Sequence, residues 1–411
     1  MNYELFVAKR IISGKEHKSN ISSPIIKIAI AAISLGIIIM MISMATGAGL
    51  QQKIRDKMSG FKGHIQITNY DNNNSDVSTV PVDIRQPFYP EFKGIKGIKN
   101  IQVFANRPGL IRTKTDFEGI VFKGVSTDYD WSFFKEYLVE GTVPDFNQPR
   151  TRDVLLSTTL INRLQLKLND TIRATFFKGA NDKLPSNRKY VITGIYNTGF
   201  LEFDQSMMIG DVREVQTLNK WSKNQVGGFE VLIDDFNELD TKGLEIYESI
   251  DSRLDARTIV SNYPAIFEWI NLFDNNIWFI IAIMILVAGI NMITALLVLI
   301  LERVPMIGIL KALGSTNWSI RKVFLYNATY LILKGLFWGN LIGLSILLLQ
   351  QQFGFITLDP ETYYVSQVPV NIEVIPMILL NLGTLVLCFA MLLVPSVIIT
   401  KIEPSKSIRF A

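Results

Sequence analysis

The sequence contains few of the residue types from which most metal and catalytic sites are built. Its 411 residues include one cysteine and two histidines. Cys388 stands alone, which excludes an intrachain disulfide and a metal site built on cysteine. His17 and His64 have no pattern of neighbouring ligands. We therefore expect neither a metal nor a cofactor in this chain.

Motifs for nucleotide binding and hydrolysis are also missing. The segment "ISGKEH" has the Gly-Lys pair of a phosphate-binding loop, but it lacks the second glycine and the hydroxyl residue. The sequence has no G-x-S-x-G elbow and no H-E-x-x-H motif. The acidic pairs Glu202/Asp204 and Asp234/Asp235 lie in polar, loop-like surroundings, and we expect them to be solvated. The chain is therefore predicted not to be an enzyme.

Charged residues are scarce, at 19%, while 48% of the residues are hydrophobic. This composition is too apolar for an ordinary soluble protein. The net charge of +4 is spread out, and no basic face typical of nucleic-acid binding is present. In place of such features the sequence has four apolar stretches long enough to cross a bilayer, at residues 28–48, 275–301, 335–355 and 374–400.

Inside these stretches the strongest polar residues are Asn291, Asn340 and Asn381. Ion-coupled transporters usually carry ionisable groups there, so secondary transport is disfavoured. Lys334 interrupts the approach to the third stretch. Because a lysine is costly at the bilayer centre, we expect it at the interface, with 317–333 forming an elbow helix. The alternative is a tilted span that starts near Val323.

Lysine and arginine in the short flanks indicate the orientation. They collect in the N-terminal tail, in the segment 302–322 and in the C-terminal tail, whereas the segment 356–373 has only acidic charges, among them Asp359 and Glu361. Both termini are therefore predicted to be cytoplasmic. A cleaved signal peptide is the alternative for the first stretch, but its 21 uncharged residues exceed the usual length of such a segment.

The predicted organisation is an α-helical membrane protein with four transmembrane helices and a large α+β domain between helices 1 and 2. In that domain "GHIQITN", "NIQVFA", "GLIRTK", "EGIVFKGV", "DVLLS", "TIRATFF", "KYVITGIY" and "GFEVLID" are predicted strands, and 157–167, 211–220 and 239–254 are predicted helices. The order along the chain is: a cytoplasmic tail, 1–24; the first span, 25–49; the periplasmic α+β domain, 50–274; the second span, 275–301; a coupling helix with its elbow, 302–333; the third span, 334–355; a periplasmic loop, 356–373; the fourth span, 374–400; and a cytoplasmic tail, 401–411.

The segment "ERVPMIGILKALG", which begins at residue 302, predicts a short amphipathic helix. Pro305 suits a first helical turn and Gly314 suits a helix end. Between them Met306, Ile309, Leu310 and Leu313 form an apolar seam at helical spacing. Such a helix either lies on the membrane surface or fits into a groove of a soluble partner.

Several segments make the chain similar to the LolC/LolE permeases of the FtsX/MacB-like ABC transporter group. That family has a pattern like "E..(I/M)GILKALG" between its second and third spans, and this chain has "ERVPMIGILKALGST" there. The stretches "AIFEWI" and "YYVSQVPV" point to the LolC/LolE branch. The resemblance extends over nearly the whole chain and implies a MacB-like core in the periplasmic domain.

The resemblance implies an inner-membrane permease subunit that pairs with a second permease, identical or different, to form an eight-span core. A separate LolD-like ATPase would bind the coupling helix, and ATP hydrolysis would extract lipoproteins toward a periplasmic carrier. The expected coupling residues are Glu302, Pro305, Met306, Ile309, Leu310, Lys311, Leu313 and Gly314. The family's carrier-binding hook follows the strand "TIRATFF", and here "KGANDKLPSNRK" is short with only Pro185, so carrier binding stays open.

The lipoprotein's acyl chains would need an apolar surface that opens sideways to the membrane. The outer half of the first span and the start of the second meet this requirement, and methionine suits acyl chains of varying shape. The candidate residues are Met40, Met44, Leu50, Ile54, Met58, Phe273, Ile277 and Ile281. Packing of the two spans against each other is the alternative.

Two other functions remain open at this stage. One is an FtsX-like protein that transmits movement to periplasmic hydrolases, and the other is a MacB-like exporter of other amphiphiles. A membrane receptor or scaffold that transports nothing is a third, more distant alternative. Lipid-linked cargo that co-purifies with the complex would distinguish lipoprotein release from the others.

Overall fold

The computed structural model describes residues 3–13, 22–72, 77–114, 116–147, 150–177 and 185–402. The chain divides into two compact units. The helical unit comprises the described residues within 1–51, 270–356 and 368–411. The sheet unit comprises those within 52–269 and 357–367.

The helices of the described part include four that are long and apolar enough to cross a membrane: α2, α9, α11 and α13, the last together with the 3-10 turn that follows it. Together with the sheet described below, they confirm the predicted fold class of four transmembrane helices and an α+β domain. The helices are α1 Tyr3–Ser13, α2 Ser22–Lys62, α3 Ser132–Glu136, α4 Thr158–Leu164, α5 Leu201–Asp204, α6 Val212–Asn219, α7 Leu239–Ser249, α8 Ile259–Asn262, α9 Pro264–Glu302, α10 Val304–Ala312, α11 Asn317–Phe353, α12 Pro360–Tyr363 and α13 Val374–Ser396.

Small residues let two of the long helices approach closely in the helical unit. Gly335 and Gly339 of α11 lie one turn apart and face α2. A Cβ atom at Gly335 would lie 2.6 Å from Ile33, and one at Gly339 would lie 2.8 Å from Ile37. Lipid offers no hydrophobic drive for helix association, so this close van der Waals contact stabilises the pair.

The third long helix differs from the sequence expectation. The sequence separated an elbow at 317–333 from a span at 334–355, but α11 runs without a break from Asn317 to Phe353. Its 37 residues include no proline, and the hydroxyl of Thr316 caps its start by accepting from the Ser319 amide. Lys334 does not interrupt the helix because its side chain is on the exposed face, with the ammonium 4.7 Å from the centre of the Tyr330 ring.

Asn340 of α11 and Asn381 of α13 bind each other. The Asn340 amide nitrogen donates to the Asn381 side-chain oxygen at 2.6 Å, and the Asn381 nitrogen donates back at 2.9 Å. Each also donates to the carbonyl one turn before it in its own helix. The pair links α11 to α13 and satisfies its amide donors in an apolar setting.

The sheet unit is built on one mixed sheet of ten strands, with a separate two-stranded pair formed by β2 and β10. The main order is β12-β1-β11-β3-β4-β9-β6-β8-β5, and β7 pairs with β3 and β8. The strands are β1 Ile65–Asn69, β2 Val82–Asp83, β3 Ile98–Arg112, β4 Phe117–Val125, β5 Leu138–Gly141, β6 Asp153–Ser157, β7 Thr171–Phe176, β8 Ser186–Tyr196, β9 Met207–Asp211, β10 Gln225–Val226, β11 Gly228–Ile233 and β12 Leu254–Thr258.

The strands "NIQVFA" and "GLIRTK" were predicted separately, but both belong to the 15-residue β3. Pro108 does not break this strand because it lies where only β4 pairs with it. On the other side β11 pairs as far as Phe104 and β7 begins at Leu110. Proline is tolerated at such a local edge.

A buried ion pair joins two strands and the end of a helix in the sheet unit. The Lys123 ammonium of β4 lies 2.7 Å from the Glu230 carboxylate of β11, and both side chains are about fully buried. The ammonium also donates to the Phe61 carbonyl at the C-terminal end of α2, and Gln102 donates to the carboxylate at 3.0 Å. Because its members are hydrogen-bonded to one another, this network offsets the cost of burying two charges.

Residues 357–367 belong to the sheet unit, where Tyr364 anchors them. Tyr364 has a φ of 59° and its carbonyl accepts from the Lys57 ammonium at 2.9 Å. Its ring stacks on Phe200 at 4.8 Å and meets the edge of Trp269 at 5.6 Å. Strain at a positive φ persists only where the surroundings hold it, as this aromatic contact and hydrogen bond do here.

Asp204 was expected to be solvated, and that expectation is wrong. It is 1% exposed and accepts from the Thr198 hydroxyl at 2.7 Å and from the Thr198 and Gly199 amides at 3.1 and 3.0 Å. Burial raises the pKa of this carboxyl from 3.8 to about 6, although the hydrogen bonds oppose the rise.

This shift gives a pH dependence of stability that a substitution can isolate. A pKa raised in the folded state means that the carboxyl favours folding below pH 3.8, and that this contribution is lost as the pH rises through 6. Between pH 7.5 and pH 4.5 we expect the wild type to gain about 2 kcal/mol of unfolding free energy relative to Asp204→Asn.

Denaturant unfolding of the detergent-solubilised chain, followed by tryptophan fluorescence at both pH values, measures this difference. Asp234→Asn at an exposed position is the matched control and should follow the wild type. If Asp204→Asn keeps the wild-type pH dependence, Asp204 is not the group responsible.

Candidate functional site

The segment between the second and third long helices forms the predicted short helix. α10 runs from Val304 to Ala312 with Pro305 in its first turn. At its end Gly314 adopts a φ of 92°, and the Ser315 amide bonds back to the Leu310 carbonyl. Proline at the start and glycine after the end are the signals from which this helix was predicted.

The apolar seam predicted on this helix divides between two faces. Ile307 is fully buried, and Met306 and Leu310 pack against the core of the helical unit. Ile309 is 52% exposed and Leu313 is 78% exposed. The predicted seam is therefore wrong as a single surface, because the helix packs inward through Ile307 and its neighbours on either side.

The outward face of α10 is apolar. Its exposed members are Pro305, Ile309, Ala312 and Leu313, which fall at i, i+4, i+7 and i+8 and so lie along one side of the helix. Gly314 is exposed beside them and Glu302 is half-buried before them. A charge-free stripe of this kind on a short loop helix is typical of a surface that binds a groove in a partner.

Lys311 does not face outward with these residues. Its ammonium donates to the carbonyl oxygens of Ile399 at 2.7 Å, Ile402 at 2.8 Å and Thr400 at 3.4 Å, just after α13. Sequence reasoning assigned Lys311 to partner docking. The structure instead gives it backbone acceptors within its own chain, which no local pattern indicates.

The eight residues predicted to bind acyl chains are mostly enclosed. Met40, Leu50, Ile54 and Met58 are buried. Met44, Phe273, Ile277 and Ile281 are half-buried. A Cβ atom at Gly47 would clash with the Ile277 side chain, so α2 and α9 pack tightly at that point. For the four buried residues, a role in packing within the protein is favoured over acyl-chain binding.

A larger exposed apolar surface lies further along α9. Phe279, Ile283, Leu286 and Ile290 fall at i, i+4, i+7 and i+11 and are all more than half exposed. Trp278 beside them is also exposed. The sequence does not reveal this stripe because α9 is apolar all round, so periodicity does not distinguish its faces. The paired aromatics at 278 and 279 were the only local signal.

No cluster of three or more histidine, cysteine, aspartate or glutamate side chains is placed within the described residues to hold a metal. The loop predicted to correspond to the carrier-binding hook falls at 178–189, and its first seven residues lie outside the described part of the chain. Of that loop's features only Pro185 and the start of β8 are described.

Two protein families match the sequence of this chain. The family described as MacB-like periplasmic core domain matches residues 28–240, which is half of the chain, and the FtsX-like permease C-terminal family matches residues 278–404. The first match covers most of the sheet unit, and the second covers α10, α11, α13 and most of α9.

Three relatives match almost end to end. Lipoprotein-releasing system transmembrane protein LolC of Neisseria meningitidis is 21% identical and covers 99% of both chains. LolE of Haemophilus influenzae is 19% identical over 99% of both, and LolC of Xylella fastidiosa is 18% identical over 93% of both. The chain thus belongs to the ABC transporter permeases that combine a MacB-like periplasmic core domain with an FtsX-like membrane region, and it is of the LolC/LolE type.

Proposed function

We propose that this chain is the permease subunit of an ABC transporter that extracts lipoproteins from the inner membrane for transfer toward the outer membrane. A separate ATPase subunit would power it by binding α10. The observation that carries the proposal is the exposed apolar face of α10, at Ile309 and Leu313, on a helix held from behind by buried Ile307. The names of the LolC and LolE relatives support the cargo class.

The two faces of α10 suit such a role. A helix that binds in a groove needs apolar anchors about one turn apart, and Ile309 and Leu313 have that spacing. A helix that transmits force must also be fixed to the body that it moves. Met306, Ile307 and Leu310 provide that attachment through the core of the helical unit. The same short segment therefore offers a docking surface and a rigid base.

The orientation proposed for the chain follows from its basic residues. Arg303, Lys311, Arg321 and Lys322 flank or lie within the α10 segment, whereas 356–373 has no lysine or arginine. By the positive-inside rule α10 and both termini face the cytoplasm, where an ATPase would meet its ATP. The sheet unit then faces the periplasm, and a second permease subunit completes the assembly within the inner membrane.

For the cargo we propose two surfaces, the exposed stripe of α9 and, on the other side of this helix, the half-buried residues of the predicted site. Phe279 and Ile283 lie on the exposed apolar side of α9, whereas Ile277 lies on the side that packs against α2 at Gly47. Acyl chains can bind on these surfaces without leaving an apolar environment. Met44, Phe273 and Ile281 are the other half-buried members of the predicted site.

The docking role is tested by charging the exposed face of α10. Replacing Ile309 and Leu313 with aspartate removes two apolar anchors, each contributing about 1.5 kcal/mol, so we expect the ATPase to bind at least about a hundredfold more weakly. Affinity purification of the tagged chain from its own membranes, with quantification of the co-purified ATPase, measures the loss. Trp318→Asp, at an exposed position on α11, is the matched control. Wild-type recovery of the ATPase with the double variant would refute docking at this face.

Orientation is tested with single cysteines in a Cys388→Ser background. Asp359→Cys and Ala312→Cys both place the thiol at an exposed position. In whole cells a membrane-impermeant thiol reagent should label position 359 and leave position 312 unlabelled until the membrane is opened. The reverse pattern would invert the proposed topology.

The cargo surface is tested by photo-crosslinking. A photoreactive residue at Ile283 or Ile277 should capture lipoprotein when ATP hydrolysis is blocked. Leu387, which is exposed on α13, is the matched control and should capture lipid but not lipoprotein. Equal capture of lipoprotein at all three positions would show that α9 is not a specific site. Absence of lipoprotein at every position would favour an FtsX-like or MacB-like role.

A further inference from the structure

The end of α13 leaves backbone carbonyls without their usual helical partners. Pro395 lies inside this helix and has no N–H to donate. After Ser396 the chain tightens into the 3-10 turn Val397–Lys401, and the Val397 amide bonds to the carbonyls of Val394 and Pro395. The Leu393 carbonyl, four residues before Val397, loses that donor and accepts instead from the Ser396 hydroxyl at 2.7 Å. Helix-end carbonyls carry partial negative charge, so this end favours cationic donors.

Two basic side chains from outside α13 supply such donors. Arg321 of α11 donates to the Leu393 carbonyl at 3.3 Å and to the buried Ser396 hydroxyl at 3.0 Å. Lys311 of α10 donates to the three carbonyls of residues 399, 400 and 402 described above. Hydrogen bonds from a charged donor are about twice as strong as neutral ones. The end of α13 is therefore held from two neighbouring helices.

The connectivity of the chain makes the bond from Lys311 distinctive. Through the backbone α10 continues into α9 on one side and α11 on the other, but it has no direct covalent link to α13. Lys311 lies between Ile309 and Leu313 in sequence, so it moves with the exposed face. Ile307 and Ile399 belong to the same buried core.

We propose that Lys311 is a positioning residue that makes the end of α13 move together with α10. A partner that pushes on Ile309 and Leu313 then displaces α13 as well as α9 and α11. The inference rests on the proposed function, because the ATPase is the source of the push. It goes beyond docking because Lys311 does not contact the ATPase in this role. Lys311 instead passes the movement of α10 on to the end of α13.

The bond itself is tested in the purified chain without any partner. Spin labels at Ala312→Cys and Thr400→Cys, both exposed positions, in a Cys388→Ser background report the distance between α10 and the end of α13. The distance distribution should be narrow in the parent and in Lys311→Arg, and it should broaden in Lys311→Met. Lys322→Met removes an equal charge from α11 and should leave it narrow. An unchanged distribution in Lys311→Met overturns the proposal.

Transmission is tested in the complex with the co-purified ATPase. The readout is the stimulation of ATP hydrolysis by a synthetic triacylated lipopeptide, expressed per ATPase bound. We expect Lys311→Met to lose this stimulation and Lys311→Arg to retain it. Arginine keeps a charged donor whereas methionine keeps only the apolar chain, so this difference would not be seen if Lys311 acted only by filling space. If the spin-label distance broadens while stimulation persists, transmission through Lys311 is refuted and docking stands. If the double variant Ile309→Asp, Leu313→Asp leaves the ATPase bound, the proposed docking fails. The spin-label distance then still shows whether Lys311 holds α10 to the end of α13.

Discussion

Helix ends in apolar surroundings must have their carbonyl oxygens satisfied, and in this protein basic side chains from other elements do so. Lys311 and Arg321 serve the end of α13, and Lys123 serves the end of α2 at the Phe61 carbonyl. An orphaned buried carbonyl costs about 1 to 3 kcal/mol, so the buried contact of Lys123 fixes β4 to α2, and the part-buried contacts of Lys311 tie α10 to the segment after α13. The position of α10 depends on this constraint. With Lys311 bound to α13 and Ile307 in the core, the face carrying Ile309 and Leu313 can only point outward.

The features that depend on local chemistry could be predicted from the sequence alone. Four long apolar runs specified four candidate spans, because a bilayer sets the length of a helix that crosses it. Pro305 and Gly314 set the bounds of α10, since each has a backbone preference that acts within one turn. The α+β character of the other domain followed from alternating strands such as β1 and from helices such as α4, whose start is capped by Ser157.

Features that depend on distant neighbours were missed. The seam of α10 was predicted as one surface, yet its residues divide because the helix packs through Ile307, and periodicity does not specify which side meets the core. β9 was missed since a short, fully buried central strand lacks the alternation that identifies a half-exposed one. Asp204 looked solvated among polar residues, but Thr198 and Gly199 turn their donors toward it. The oxygen atoms that accept hydrogen bonds from Lys311 and Arg321 come within reach only when the end of α13 is folded beside α10 and α11.

Direct capture of the partner at α10 tests the central claim, that its outward face is the docking surface. A photoreactive residue placed at Leu313 is compared with one at Leu310, which lies three residues away and faces the core. We expect Leu313 to cross-link an ATP-hydrolysing subunit in intact membranes and Leu310 to cross-link only the chain itself. Capture of the subunit at Leu310, or no capture at Leu313, would show that the partner does not dock on this face.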